Sequence, residues 1–497
     1  MKEQARESMK IVLLIIISFL STISMMPFNL HAYWDHAWNR EIPFRERGIG
    51  TSSHSITIDS ADRSHIAYSA CSQSGECALR HAVREGEAWT DELVDPSCGN
   101  SVVRITASVS GSLHVCYQGR DDLSQQDILM YAAHDANQWS THIVGKGGGG
   151  CAISLNPEGY PYISHINENG GLQVARYDGT QWTSENVAME ANPIEPTSMA
   201  IAPSGEVHIG FVSDSDPPGI YWVRNGSGSW VSSLIDYGKQ IGLALGSNGY
   251  PRIVYKPDKK LSVIYGEFDG LQWRNFPIFE HIYLPHANQV SYYPALAIDP
   301  NDAVHISYVH LWHLSILDFS GWTGELGYVK YNGITWEESS WIQEIDDGFS
   351  FVSSIALDSY GFPRVSYNVA NLKGPLRFAY FVTPELTGRW TGFTLKNKND
   401  EYFLKGSLRI SNSGDGLAGT VRINFFLSDD TNLSSDDIPI GQNRVVSDLK
   451  PGRQRNVKFS WKTADNPSGK CILAVIDQDG LNLERNKTDN VIYQLIP

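Results

Sequence analysis

Cations are scarce in this chain of 497 residues: 39 Lys and Arg stand against 55 Asp and Glu, a formal net charge of −16. Affinity for nucleic acid comes largely from Lys and Arg on phosphate, and no basic stripe offsets the deficit, so nucleic acid is set aside as a partner. Cysteine is limited to six, none at zinc-ligand spacing. Long helical patterns are few, which argues against a helix bundle or an α/β fold. Beyond one N-terminal run, no segment is long and apolar enough to cross a membrane. The residues in plentiful supply are 44 Gly, 23 Tyr and 14 Trp. That composition points to an all-β chain with many tight turns.

The exceptional run is Ile11 to Met26, preceded by Lys2, Arg6 and Lys10. It reads as a signal peptide over residues 1–32, with Ala32 before the cleavage point, although Leu30 stands where a small residue is preferred. The alternative is an uncleaved anchor, which would be the chain's only link to a membrane. Export agrees with the cysteines. Cys71 and Cys77 bracket a short segment and form an expected hairpin disulfide. Cys98, Cys116 and Cys151 hold a possible second bridge, and Cys471 is expected to be buried and free.

Internal repetition is the strongest signal. SITIDSADRSHIAYSA from Ser55 recurs from Arg104, Cys151, Ser198, Ile241, Pro294 and Ser353. Each copy has an alternating strand, a turn with Gly (Gly111, Gly159, Gly205, Gly249, Gly361), and a second strand ending in an aromatic. A Tyr-rich third strand follows. An Asp-Gly or Asn-Gly turn, expected to be type I′, leads to a fourth strand opening on Trp89, Trp139, Trp182, Trp230, Trp273 or Trp336. Four antiparallel strands per repeat make a propeller blade. The seventh copy lacks its fourth strand, and the segment around Trp38 is expected to supply it. The expectation is therefore a seven-bladed β-propeller over residues 33–384, closed by an N-terminal strand. It resembles secreted bacterial propellers with D-x-x-G-x-P-H-I-x-Y repeats, a resemblance that implies fold more than function. The sialidase box S-x-D-x-G-x-T-W is not matched.

From about Leu386 the pattern becomes that of a β-sandwich over residues 385–497. Phe425 to Asp430, Leu433 to Asp437, Gly441, Leu449-Lys450-Pro451-Gly452, Val475-Ile476-Asp477 through Glu484, and Thr488-Asp489-Asn490 carry a resemblance to the CARDB family. Lys487 departs from it, standing where the family often has Glu. The resemblance implies an immunoglobulin-like adhesion or spacer module of surface and secreted proteins. Asp429, Asp430, Asp436 and Asp437 offer hard oxygen ligands for calcium, but not at EF-hand spacing; the plainer reading is that they shape a turn. No other cofactor or metal is called for.

A residue type that recurs in every repeat serves the repeat, whereas one present in a single copy is free to serve a ligand. By this criterion the row His65, His114, Tyr162, His208, Arg252, His305 and Arg364 is scaffold. The unique residues lie in the long connections of the fifth and sixth repeats: Tyr283, His286, Tyr292, His310, Trp312, His313, Asp318 and Trp322, joined by Arg120 and Asp121 from the second. Aromatic faces stack on sugar rings and polar tips orient hydroxyls. The first functional reading is a secreted or cell-surface adhesion protein recognising a glycan or a surface protein on this loop-rich face. The alternative is a polysaccharide lyase or glycosidase on the same face, with His310, His313, Tyr292 and Arg120, or Asp121 and Asp318, in catalysis.

Overall fold

The computed structural model describes residues 38–43, 49–72, 74–121, 123–135, 138–187, 192–226, 228–259, 262–278, 287–314, 322–337, 340–345, 352–368 and 375–497. The segment read as a signal peptide or anchor lies outside them. Among the described residues every regular element is a strand except the 3₁₀ turn Thr488–Asn490. No helix there is long and apolar enough to cross a membrane. Two compact units emerge: Arg40–Tyr380, and Phe381–Pro497 with Trp38 and Asn39.

In the first unit the repeats form antiparallel sheets in chain order. The third repeat is one four-stranded sheet from Gly149–Leu155 to Trp182–Asn186, and the sixth another from Ala287–Ile298 to Ser340–Ile345. The first and second repeats share a seven-stranded sheet, as do the fourth and fifth. The reason is a long strand in each pair. Ala88–Ala107 pairs with Cys77–Glu85 along its first half and with Leu113–Arg120 along its second. Val231–Leu245 does the same in the other pair. The last sheet runs Trp38–Glu41, Leu376–Phe381, Pro363–Asn368, Ser353–Leu357, so the N-terminal strand is its outermost member. The innermost strands lie side by side in repeat order, and Ser353–Leu357 lies beside Ile49–Ile58.

The turns show why the repeats fold alike. At the first turn Gly111, Gly159, Gly205, Gly249 and Gly361 have φ between 75° and 90°, the left-handed region glycine adopts without penalty. Two repeats place Asp there, Asp62 at φ 59° and Asp302 at φ 64°. Each Asp reaches the neighbouring repeat. Asp62 accepts from Ser359 N at 2.7 Å and Ser359 Oγ at 2.6 Å; Asp302 accepts from Ser247 N at 2.7 Å and Ser247 Oγ at 2.5 Å. The second turn differs from expectation. In the Asp-Gly and Asn-Gly turns Gly179, Gly270 and Gly333 have positive φ, and each is the first central residue of its two-residue loop, the type II′ pattern rather than I′. Asp178, Asp269 and Asn332 stand one place earlier, accepting two backbone N–H bonds each with Oδ1.

Adjacent repeats meet at one recurring contact. A second-strand residue touches the innermost strand of the next repeat: Ser164 Oγ with Thr197 Oγ1 at 2.8 Å, Ser307 Oγ with Ser353 Oγ at 2.9 Å, and Ser366 Oγ with His54 Nδ1 at 2.9 Å. Gly210 has no room for a Cβ there because Ile241 fills the place, and Ala67 packs in one core with Val103. The disulfide Cys116–Cys151 occupies the same junction between the second and third repeats. Cys71–Cys77 closes the expected hairpin, while Cys98 and Cys471 are free and buried. The fourth-strand tryptophans also pack across junctions, Trp182 edge-on to Tyr131 at 5.1 Å, Trp273 to Trp222 at 5.4 Å and Trp89 to Phe378 at 5.0 Å.

The C-terminal unit has a three-stranded sheet (Leu386–Lys398, Glu401–Asn412, Gln454–Thr463) and a second sheet built on Ala418–Ser428, Cys471–Ile476 and Val491–Leu495. Leu404, Leu408, Ile423, Phe425, Phe459 and Ile472 fill its core, with Trp390 against Phe425 and Phe459. The Glu484 carboxylate is buried, accepting from Leu386 N at 2.7 Å and Asn490 Nδ2 at 2.8 Å.

Candidate functional site

The sixth repeat departs from the plan of the others by extending its strands. Ala287–Ile298 and Val304–Leu314 pair along nearly their whole length, with an irregularity between Tyr292 and Ala295, and Trp322–Tyr331 follows them outward. Strands there replace the expected loops. His310 stands opposite Ser291 and Glu325, Trp312 opposite Gln289 and Thr323, and His313 opposite Asn288 and Trp322; Tyr292 pairs with Val309. The ladder thus gathers five of the singled-out residues. Tyr283, His286 and Asp318 lie outside the described residues.

Arg120 and Asp121 belong elsewhere. They line a cavity of about 400 Å³ with Asp95, Ser97, Leu123 and Met130, and no residue of the sixth repeat borders it. The Asp121 carboxylate is engaged locally, accepting from Leu123 N at 3.2 Å and Ser124 Oγ at 2.5 Å. Those bonds hold its pKa below the ordinary value.

The recurring polar row is bonded within the fold. His65 Nε2 meets Asp59 at 3.1 Å and its Nδ1 meets His81 at 3.0 Å. His114 Nδ1 meets the Tyr131 hydroxyl at 2.6 Å, and His305 Nδ1 meets that of Tyr328 at 2.7 Å. Arg252 donates to Asp302 O at 2.6 Å, and Arg364 to Asp62 O at 2.8 Å. Burial is the main cause that lowers the pKa of His65, His165, His208 and His305 to about 4 each. Among the described residues no group of three His, Cys, Asp or Glu is placed to hold a metal. Of the four acidic residues weighed for calcium, Asp429 pairs with Lys470 at 2.7 Å. Asp430 accepts from Asn432 N at 2.7 Å and Asp437 from Ser434 N at 2.7 Å.

A second feature escaped the sequence reading. The innermost strands of all the repeats surround a channel of about 430 Å³. Ser55, Arg104, Ala152, Ser198, Gly242, Ala295 and Ser354 hold one register position, each opposite the second-strand residue of the junction contact. Six are small and one is Arg104. Close by, His54 is fully buried; desolvation, with the Arg104 charge adding to it, lowers its pKa to about 3, against a hydrogen bond to the Val352 carbonyl. Glu195 also lines the channel and accepts from Gln240 N at 2.6 Å. The criterion of occurrence in one repeat alone applies to Arg104 as fully as to the aromatics. Unlike the aromatics, Arg104 sits inside a regular strand rather than in a long connection, so its sequence context does not set it apart.

Known proteins add the following. Among curated proteins none matches the chain in sequence. Solved structures similar to it include a protein of unknown function from Dyadobacter fermentans, 10% identical, covering 69% of this chain and 98% of that one at a TM-score of 0.41. A fungal lectin with a six-bladed propeller from Aleuria aurantia is 12% identical over 67% and 99%, at 0.34. An ulvan lyase of polysaccharide lyase family 25 is 9% identical over 69% and 94%, at 0.44. Residues 395–494 match the CARDB family.

Proposed function

We propose that the first unit is a seven-bladed β-propeller, spanning residues 33–384 with the Trp38 strand as the outer strand of its last blade, and that residues 385–497 serve it as an accessory sandwich. We infer that the protein is secreted or displayed at the cell surface and binds a glycan, or a surface protein, on the face where the sixth repeat extends. The observation that carries this reading is the extended ladder of Ala287–Ile298, Val304–Leu314 and Trp322–Tyr331, which brings Tyr292, His310, Trp312, His313 and Trp322 into one set of paired strands. Ligand sites on strands are held more firmly than sites on loops. The disulfides Cys71–Cys77 and Cys116–Cys151 suit an oxidising compartment. Asp318, Tyr283 and His286, which the sequence puts in the connections beside it, are kept as part of the proposed site, and Arg120 with Asp121 as a separate one.

A glycan array read beside an ultraviolet assay for unsaturated uronides tests this. Binding without product is expected, lost when Trp312 and Trp322 are both changed to Ala. Retention of every binding activity in that double variant overturns the site. Product formation that disappears in His313→Ala would instead make the protein a polysaccharide lyase.

A further inference from the structure

The channel holds a charge that the fold does not use. Where Arg104 stands, the other repeats have Ser, Ala or Gly, and two of these serines stitch neighbours together: Ser198 Oγ accepts from Leu243 N at 2.9 Å and Ser354 Oγ from Ile56 N at 3.2 Å. Arg104 makes no such link. Its one hydrogen bond among the described residues runs from Nη1 to Val103 O at 3.0 Å, on its own strand. The side chain is half-buried in the channel wall, and desolvation alone accounts for its lowered basicity, with no carboxylate acting against it. His54 beside it is neutral at physiological pH. The charge acting on Glu195 is that of Lys239, not Arg104. At the next position along the strands the channel is apolar, lined by Ile105, Ile153, Met199, Leu243, Leu296 and Ile355.

A half-buried guanidinium without an acid partner loses hydration that nothing in the fold replaces, and a single planar cation favours an oxyanion that can accept two parallel N–H bonds. We propose that Arg104 anchors an oxyanion inside the channel: a carboxylate, sulfate or phosphate group, free or carried by an acidic sugar. The low dielectric of the surrounding apolar layer strengthens such a pair. Its position in a strand with small counterparts in every other repeat gives the anion room that a ring of larger residues would deny. The site does not depend on the extended ladder of the sixth repeat and stands whether or not that ladder binds a glycan.

Titration calorimetry of the full chain tests it, with inorganic sulfate, inorganic phosphate, glucuronate and neutral glucose as probes at constant ionic strength. Sulfate or phosphate is expected to bind the parent chain, and R104Q to weaken that binding by about tenfold or more. R104K, which keeps the charge without the fork, falls between. Binding of glucuronate alone makes the source an acidic sugar and equally supports the site. If no anion binds the parent more tightly than R104Q, the proposal is overturned. R104M supplies an independent readout in anion-free buffer. A residue kept for a ligand costs stability, so this variant should melt at the same temperature or higher; a lower melting temperature would give Arg104 a structural role and overturn the site.

Discussion

Ser366 Oγ and His54 Nδ1 meet at 2.9 Å although 312 residues separate them in the chain. This is the junction between the seventh repeat and the first, and it copies the hydroxyl contacts between earlier neighbours. Ser366→Ala should cost about 1–3 kcal/mol, because it leaves a buried ring nitrogen without its partner. Urea unfolding of the full chain measures this. An unchanged midpoint would mean that the first and seventh repeats are held together by other contacts alone.

The Glu41 carboxylate gives the N-terminal strand a second hold. It accepts from Arg84 Nε at 2.9 Å and Nη2 at 2.8 Å, and from Trp89 Nε1 at 2.6 Å. Arg84 in turn lies 4.4 Å above the ring of Tyr380. Glu41→Ala should lower stability by about 2 kcal/mol, since Trp89 Nε1 loses its acceptor and Arg84 keeps the Tyr380 hydroxyl but loses its carboxylate. Deletion of residues 38–41 should lower the melting temperature further, and a truncated chain with the parent's melting curve would refute the role given to this strand.

Acid should act on the two units with opposite sign. His54, His65, His165, His208 and His305 have folded pKa values of about 3 to 4, below the ordinary 6.5. The unfolded chain therefore binds more protons, and the first unit loses stability as pH falls from 6.5 towards 4, each histidine weighing up to about 1.4 kcal/mol per pH unit. Burial, with the charges of Asp477 and Glu385 nearby, lifts Glu484 to about 7 from 4.5 against its two hydrogen bonds. Here the folded state binds the extra proton, so the C-terminal unit gains stability over the window from 7 down to 4.5. Calorimetry at pH 7.5 and pH 5 should show two transitions moving in opposite directions. A common shift would contradict the assignment.

The Cys116–Cys151 bridge can be exchanged for the bond that nature uses at the next junction. Replacing both cysteines by Ala should cost about 3–4 kcal/mol through lost loop constraint. The pair Cys116→Ser with Cys151→Thr reproduces the Ser164–Thr197 contact and should recover about 1 kcal/mol of that. Equal melting temperatures for the two variants would show that the hydroxyl pairs contribute nothing at these junctions.

The repeats were legible because each spends the same residues on the same local needs. Glycine at positive φ, the aromatic ending the second strand and the tryptophan opening the fourth are requirements of backbone and packing, and these recur with fixed spacing. The N-terminal strand is legible because seven first strands are followed by only six tryptophan-led fourth strands. What could not be read was pairing that depends on where a strand stops. Nothing between Pro96 and Val102 marks that Ala88–Ala107 continues from one sheet to the next, since extended backbone carries no signal of changing partners. The ladder of the sixth repeat reads as loops in sequence for the same reason: Gly, Ser and His interrupt its alternation, and cross-strand pairing overrides so weak a local preference. Arg104 was passed over because a lone charge in a strand resembles an exposed position until the channel is seen.

The two long strands have a mechanical consequence. A strand that pairs into two repeats cannot leave one while the other stays intact, so the first and second repeats are yoked, as are the fourth and fifth. Under tension applied along the chain, rupture would run through the seams between yoked pairs rather than inside them. The seam after the second repeat is the one riveted by a covalent bond.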